Sequence, residues 1–178
     1  MKRALLFIFI SSSLLAYGQN GINKAELSDI PQLELPLLDN NKLIAKELKN
    51  RETLGRSPEF ARACKVDAGC HQSGKWTIEG DRAIWKMLVK SAGAKSLNFG
   101  FTDFYMPTSA SFYMTGVTSG QRRGPFVSAD NDPHDQFWSP IIEDDVVLLE
   151  LEVDVAQKEF VRLHLAKANH GFFKFGSK

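Results

Sequence analysis

The sequence is poor in the features that mark several large functional classes. Two cysteines in 178 residues are too few for a disulfide scaffold or a closed structural zinc site. Neither sign of charge dominates: 22 Lys and Arg face 21 Asp and Glu, for a net charge of +1. The basic excess of a nucleic-acid binder is therefore missing. There is no glycine-rich phosphate loop and no His-Glu-x-x-His helix. No serine sits in a Gly-x-Ser-x-Gly elbow or a Gly-Asp-Ser-Gly segment, and no repeat of fixed period recurs. What is present is ordinary globular composition, 43% hydrophobic and 24% charged, enough for one domain with short extras.

The first residues read as an export signal. Lys2 and Arg3 precede the apolar run Leu5 to Ile10, three serines and Leu14-Leu15, and Ala16-Tyr17-Gly18 supplies small residues at a cleavage site after Gly18. The run is too short and too serine-interrupted to span a bilayer comfortably, and no later stretch is long and apolar enough. The expected location is therefore secreted or periplasmic, with no membrane span after cleavage. An oxidising compartment in turn favours a local disulfide between Cys64 and Cys70. A reactive thiol, or a metal pair with the adjacent His71, is the alternative.

Three segments are expected: a signal peptide at 1–18, an extended and helical leader at 19–73 and a β-sandwich at 74–175. In the leader, Leu33, Leu35 and Leu37 alternate as one edge strand. Asp39 and two asparagines can cap a helix over 42–50, and Ser57-Pro58 reads as a second helix start running to Cys64. From Gly74 the hydrophobic period changes to two. Trp76 and Ile78, a turn at 79–81, then Ala83, Trp85, Met87 and Val89 spell a hairpin. Leu97, Phe99 and Phe101 make the next apolar face, opposite Asn98, Gly100 and Thr102. Ala110, Phe112 and Met114 follow, then short strands at 125–128 and 137–142. Val147 to Val153 and Val161 to Leu165 are the last clear ones. Each strand has one apolar face and no long helices intervene. This predicts a mostly β protein, an antiparallel, jelly-roll-like β-sandwich preceded by a short helical leader.

Candidate chemistry is sparse. Asp130, Asn131, Asp132 and Asp135 can offer oxygens to calcium, but the spacing lacks the Gly and terminal Glu of an EF-hand loop. Asp and Asn are also good turn residues, and a turn is the favoured reading. No other cofactor is indicated. The histidines 71, 134, 164 and 170 are read as solvated or hydrogen-bonded, with a His134–His170 pair as the functional alternative. Arg122 and Arg123 lie in a polar segment at 118–124, read as a solvated hairpin. Of the three tryptophans, an exposed Trp138 beside Phe137 would point to a sugar-stacking or partner patch.

Several of these segments fall in a familiar order: Leu97-Asn-Phe-Gly-Phe-Thr-Asp-Phe104, Gly124-Pro-Phe126, Ala129-Asp-Asn-Asp-Pro-His-Asp-Gln-Phe-Trp-Ser-Pro140, Val147-Leu-Leu-Glu-Leu151 and Asn169-His-Gly-Phe172. The pattern, over roughly residues 36–175, resembles the non-catalytic N-terminal region that precedes the protease domain in secreted bacterial trypsin-like peptidases of the lysyl endopeptidase type. The resemblance implies a propeptide or accessory sandwich whose partner is a trypsin-like serine protease domain, in cis or in trans. That family's catalytic His, Asp and Ser would lie beyond the last segment, so none has a counterpart here. The chain is expected to be a non-enzyme, either a stand-alone relative or the front of a truncated precursor of a serine endopeptidase. Its expected role is to assist folding, inhibition or targeting of the protease, with Trp138, Phe172, Phe173 and Phe175 as contact residues. The alternatives are a carbohydrate- or surface-binding module using Trp138, Asp130 and Asn131, and a hydrolase whose triad is assembled from distant residues.

Overall fold

The computed structural model describes residues 27–54 and 57–173. Ten strands follow one another: β1 (Gln32–Glu34), β2 (Ala61–Gly69), β3 (Lys75–Glu79), β4 (Arg82–Lys90), β5 (Ser96–Tyr105), β6 (Ser111–Gly116), β7 (Arg122–Phe126), β8 (Gln136–Trp138), β9 (Val146–Asp154) and β10 (Arg162–Gly171). Helix α1 (Asn40–Leu54) lies between β1 and β2. The first sheet has the order β1-β4-β9-β6-β7, with β3 also on β4, and the second the order β2-β10-β5-β8. Leaving aside β1 and β3, this alternation of strands between two four-stranded layers is that of a jelly roll. The signal segment lies outside the described residues. Among those described, no helix is long and apolar enough to cross a membrane.

Alternation builds the core. Trp85, Met87 and Val89 of β4, Phe112 and Met114 of β6, and Val147, Leu149, Leu151 and Val153 of β9 turn inward from the first sheet. Leu97, Phe99 and Phe101 of β5, with Leu163, Leu165 and Ala168 of β10, turn inward from the second. Burying one face of each sheet against the other is what makes both stable. Phe101 stands among Phe99, Phe104, Phe112 and Phe137, with ring centroids 5.5–6.4 Å away.

The predicted hairpin is β3–β4. Gly74 starts it at φ 79°, a left-handed conformation that costs glycine little, and a Cβ there would strike the buried Trp85 indole. Trp85 Nε1 donates to Ser73 O at 2.7 Å and Trp76 Nε1 to Cys70 O at 2.9 Å. Asp39 caps α1 as expected: its Oδ1 accepts from Lys42 N at 3.1 Å.

Three expectations are corrected and one is refined. The segment begun by Ser57-Pro58 is no helix: 57–60 carry no regular structure and β2 follows as a strand of the second sheet, with Cys64 and Ala68 buried and Lys65 and Asp67 exposed. That strand also explains why Cys64 and Cys70 are free thiols and form no disulfide. An extended chain carries them roughly 20 Å apart, whereas a disulfide needs Cα atoms within about 7 Å. The expected edge strand is present but short: β1 lies at the edge of the first sheet and pairs parallel to β4, through Gln32–Leu88 and Glu34–Lys90. Only Leu35 of the three leucines is fully buried, while Leu37 is exposed. Finally, the expected strand at 137–142 shortens to Gln136–Trp138. Pro140 has no N–H to donate, and beyond it one bridge, Leu97–Ile142, continues the pairing.

Candidate functional site

The second sheet exposes an outer face built by register. Lys167 of β10 lies opposite Lys65 of β2 on one side and Gly100 of β5 on the other, and Gly100 lies opposite Trp138 of β8. All four positions point away from the core, since their neighbours Cys64, Ala168, Phe99 and Phe101 point into it. The result is one row across four strands. Trp138 is 51% exposed, and its six-membered ring occupies the space a residue-100 side chain would fill, 2.7 Å from an ideal Cβ. The Lys167 ammonium stands 5.8 Å from the Trp138 ring, a cation–π contact. In the next row Asn169 lies opposite Asn98.

A second feature sits where β10 begins. Arg162 Nη1 and Nη2 grip Asp135 at 3.0 and 2.9 Å, Nη1 also reaches Asp103 at 3.0 Å, and the guanidinium lies over Tyr105. The Asp135 carboxylate pushes the Arg162 pKa up despite partial burial, and Asp103 adds to this. Asp103 and Asp135 have φ of 56° and 55°, left-handed conformations in which aspartate is better tolerated than most residues. Beside them runs a groove of about 470 Å³, walled by Tyr105, Pro107, Thr108, Gln157, Phe160 and Arg162. A smaller recess of about 260 Å³ continues past Arg162 to Cys70, His71 and His164. Burial pushes the Cys70 thiol up to about 11, which leaves it protonated and a poor nucleophile.

The structure brings one serine to one imidazole. Ser91 Oγ lies 2.7 Å from His170 Nδ1, and His170 Nε2 lies 2.7 Å from Asn40 Oδ1. Asn40 Nδ2 donates to Gly93 O, so Oδ1 accepts from Nε2–H, and Nδ1 is left to accept from the Ser91 hydroxyl. The order Ser–His–Asn is that of a nucleophile, a base and an orienting group. Ser91 and His170 are nevertheless wholly buried, and no substrate reaches them in this arrangement. The three side chains tie the start of α1 to β10. Burial holds the His170 pKa below its usual value, and the Lys95 charge adds to this.

The remaining sequence candidates fall in separate places. Asp130 Oδ2 accepts from Val127 N, Asp132 Oδ1 accepts from His134 N, and Asn131 clamps Met106 by both its N–H and its C=O. With Asp135 committed to Arg162, each of the four oxygen-bearing residues serves a turn or an ion pair. Among the described residues no group of three or more His, Cys, Asp or Glu stands close enough to hold a metal. Asn131 is held to Met106, just past the end of β5, whereas Trp138 lies opposite Gly100 in the middle of that strand. His170 lies on β10 opposite Leu97, whereas Asp135, next to His134, bonds Phe104 at the far end of β5. The two histidines are not paired. His71 Nε2 lies 2.9 Å from Val161 O, and His164 faces outward to Asp67 at 3.1 Å. Arg122 stacks 4.0 Å from the Tyr113 ring and reaches Glu150, on the expected hairpin.

Of the four predicted contact residues, Trp138 is exposed, Phe172 is buried at 2% exposure, and Phe175 lies outside the described residues. Phe173 meets Phe60 edge-on at 6.1 Å, and the Arg51 guanidinium covers both rings at 5.5–5.6 Å. Arg51 also bonds the buried Glu47, whose carboxyl it holds below the usual range with help from Glu59 N–H. Arg51 Nη2 is buried without a partner among the described residues. Lys65, Lys167, Arg162, Phe60 and Phe160 were missed from the sequence. Only the flanking alternation of Cys64, Val66 and Ala68 signalled that Lys65 faces outward. No protein-family model matches the sequence.

Proposed function

We propose that the chain is an exported, non-catalytic module that works by surface contact and assists a trypsin-like serine protease domain of the lysyl endopeptidase type, in cis or in trans. The sequence resemblance over roughly 36–175 suggests the partner. The observation that carries the contact is the aromatic patch where β10 ends: Phe60, 47% exposed, against Phe173 under the Arg51 guanidinium, with one Arg51 donor unpaired among the described residues. Aromatic and arginine side chains of this kind anchor protein interfaces. The patch adjoins the end of β10, where the family's protease domain would follow.

Co-expression with a lysyl-specific trypsin-like protease domain tests this reading. The module should co-purify with the protease and raise its refolded yield, and Phe60→Ser with Phe173→Ser should abolish both effects. No binding and no change in yield would overturn it. Labelling of Ser91 by a serine-directed phosphonate would overturn the non-catalytic half.

A second reading, a carbohydrate- or surface-binding module, is favoured by one observation: Trp138 is half-exposed on a sheet face with polar neighbours. Jelly rolls carry such sites among many others.

A further inference from the structure

We infer that the outer face of the second sheet is a platform for an acidic sugar chain, with the ring of one sugar against Trp138 and its carboxylate between Lys65 and Lys167. The inference rests on the second reading, that the sandwich binds a glycan, and names the class of glycan.

Stability alone disfavours one pairing on this face. Lys65 and Lys167 are directly opposite on neighbouring strands, both exposed, and like charges so placed repel. Neither lysine forms an ion pair among the described residues. A lysine on an edge strand can serve to block sheet-to-sheet aggregation, which accounts for Lys65 on β2. It does not account for Lys167, which lies on β10 between β2 and β5. An anion seated between the two ammonium groups turns the repulsion into attraction.

The rest of the row says what the anion is attached to. Trp138 presents its indole beside Lys167, and glycine at position 100 leaves the ring room to lie across the sheet. An indole face suits the apolar C–H face of a pyranose. Asn98 and Asn169, paired in the adjoining row, carry amides with no side-chain hydrogen bond among the described residues, and amides of that kind suit sugar hydroxyls. A simple polyanion would use the lysines and leave the tryptophan and the asparagines without a role. A neutral glycan would leave the lysine pair without one. A uronic-acid chain uses all of them.

The test is calorimetric titration of the protein with hexagalacturonate, with maltohexaose as the neutral control and polyphosphate as the anion without sugar. Binding to hexagalacturonate is expected, at least tenfold tighter than to either control. Trp138→Ala should weaken it at least tenfold, and the pair Lys65→Gln with Lys167→Gln likewise. Arg82→Met, on the opposite sheet, should leave it unchanged, and thermal melts of each variant report that the fold survives. Equal affinity for hexagalacturonate and maltohexaose would overturn the acidic preference while leaving the glycan reading standing. Binding to neither sugar would overturn both. Polyphosphate binding as tight as hexagalacturonate, indifferent to Trp138→Ala, would reduce the face to a charge patch and overturn the inference.

Discussion

On the outer face of the first sheet, charges are matched across strands. Arg82 holds Glu152 at 2.8 Å and also holds Asp154, Lys86 holds Glu150 at 3.1 Å, Arg122 reaches the same Glu150, and Lys90 reaches Glu34. On the outer face of the second sheet, Lys65 stands opposite Lys167 and an open tryptophan ends the row. Both faces belong to one sandwich and rest on one core, so the core does not impose the difference. The first face satisfies itself, as a solvated sheet surface does when cross-strand pairs are of opposite sign. The second pairs Arg162 with Asp103 and Asp135 at one end, but leaves Lys65 and Lys167 without an acidic partner among the described residues.

The largest effect should come from breaking what the faces share. Phe101→Ala removes a buried ring from the centre of the aromatic cluster and should destabilise the protein by about 3–5 kcal/mol. Urea denaturation should show a single shifted transition, with both faces lost together. Gly100→Ala acts on the second face alone. Its new methyl would meet the Trp138 ring at 2.7 Å and should cost about 1–3 kcal/mol as the ring is displaced, with a change in tryptophan fluorescence that an equivalent change on the first face would not cause.

A pH series separates the interior from both faces. Burial holds His170 neutral in the fold, with its pKa below the usual histidine value of about 6.5, so the unfolded chain takes up a proton first. Stability should therefore be full above about pH 6.5 and fall as the pH drops from there towards the folded pKa, by at most about 1.4 kcal/mol for each unit of difference. Melting curves in this window should lose that dependence in His170→Gln. The smallest effects give the sharpest contrast. Arg82→Met on the matched face should lower stability by about 0.5–1 kcal/mol. Lys65→Glu on the unmatched face should raise it by about 0.2–0.5 kcal/mol, by replacing a like-charge pair with an opposite one. Thermal melts at low and high salt should move the two variants in opposite directions and shrink both shifts as salt rises.

The sheets were legible wherever strict alternation ran long enough. The inward sets Leu97-Phe99-Phe101 and Val147-Leu149-Leu151-Val153 are written in the period, and the two-layer fold follows from them. β2 was not legible, because Ser57-Pro58 imitates a helix start and Ala, Arg and Lys suit a helix as well as an exposed strand. The disulfide expectation failed with it: the number of residues between two cysteines says little until the conformation between them is known. The sequence singles out Trp138 as the residue whose environment decides between a core and a surface role. Its partners were out of reach, because register joins Lys65, Gly100, Trp138 and Lys167 from four strands far apart in the chain. The Ser91–His170–Asn40 contact was hidden for the same reason, and His170 lies in a segment that reads as a turn.

The most direct measurement is a ¹⁵N-resolved NMR titration of the protein with hexagalacturonate, following the Trp138 indole N–H and the backbone amides of every strand. Shifts should concentrate at Lys65, Asn98, Gly100, Trp138 and Lys167, while the amides of Arg82, Lys86 and Glu150 stay still. Shifts confined to the first sheet, or the absence of any shift at Trp138, would contradict an acidic-sugar platform on the second sheet.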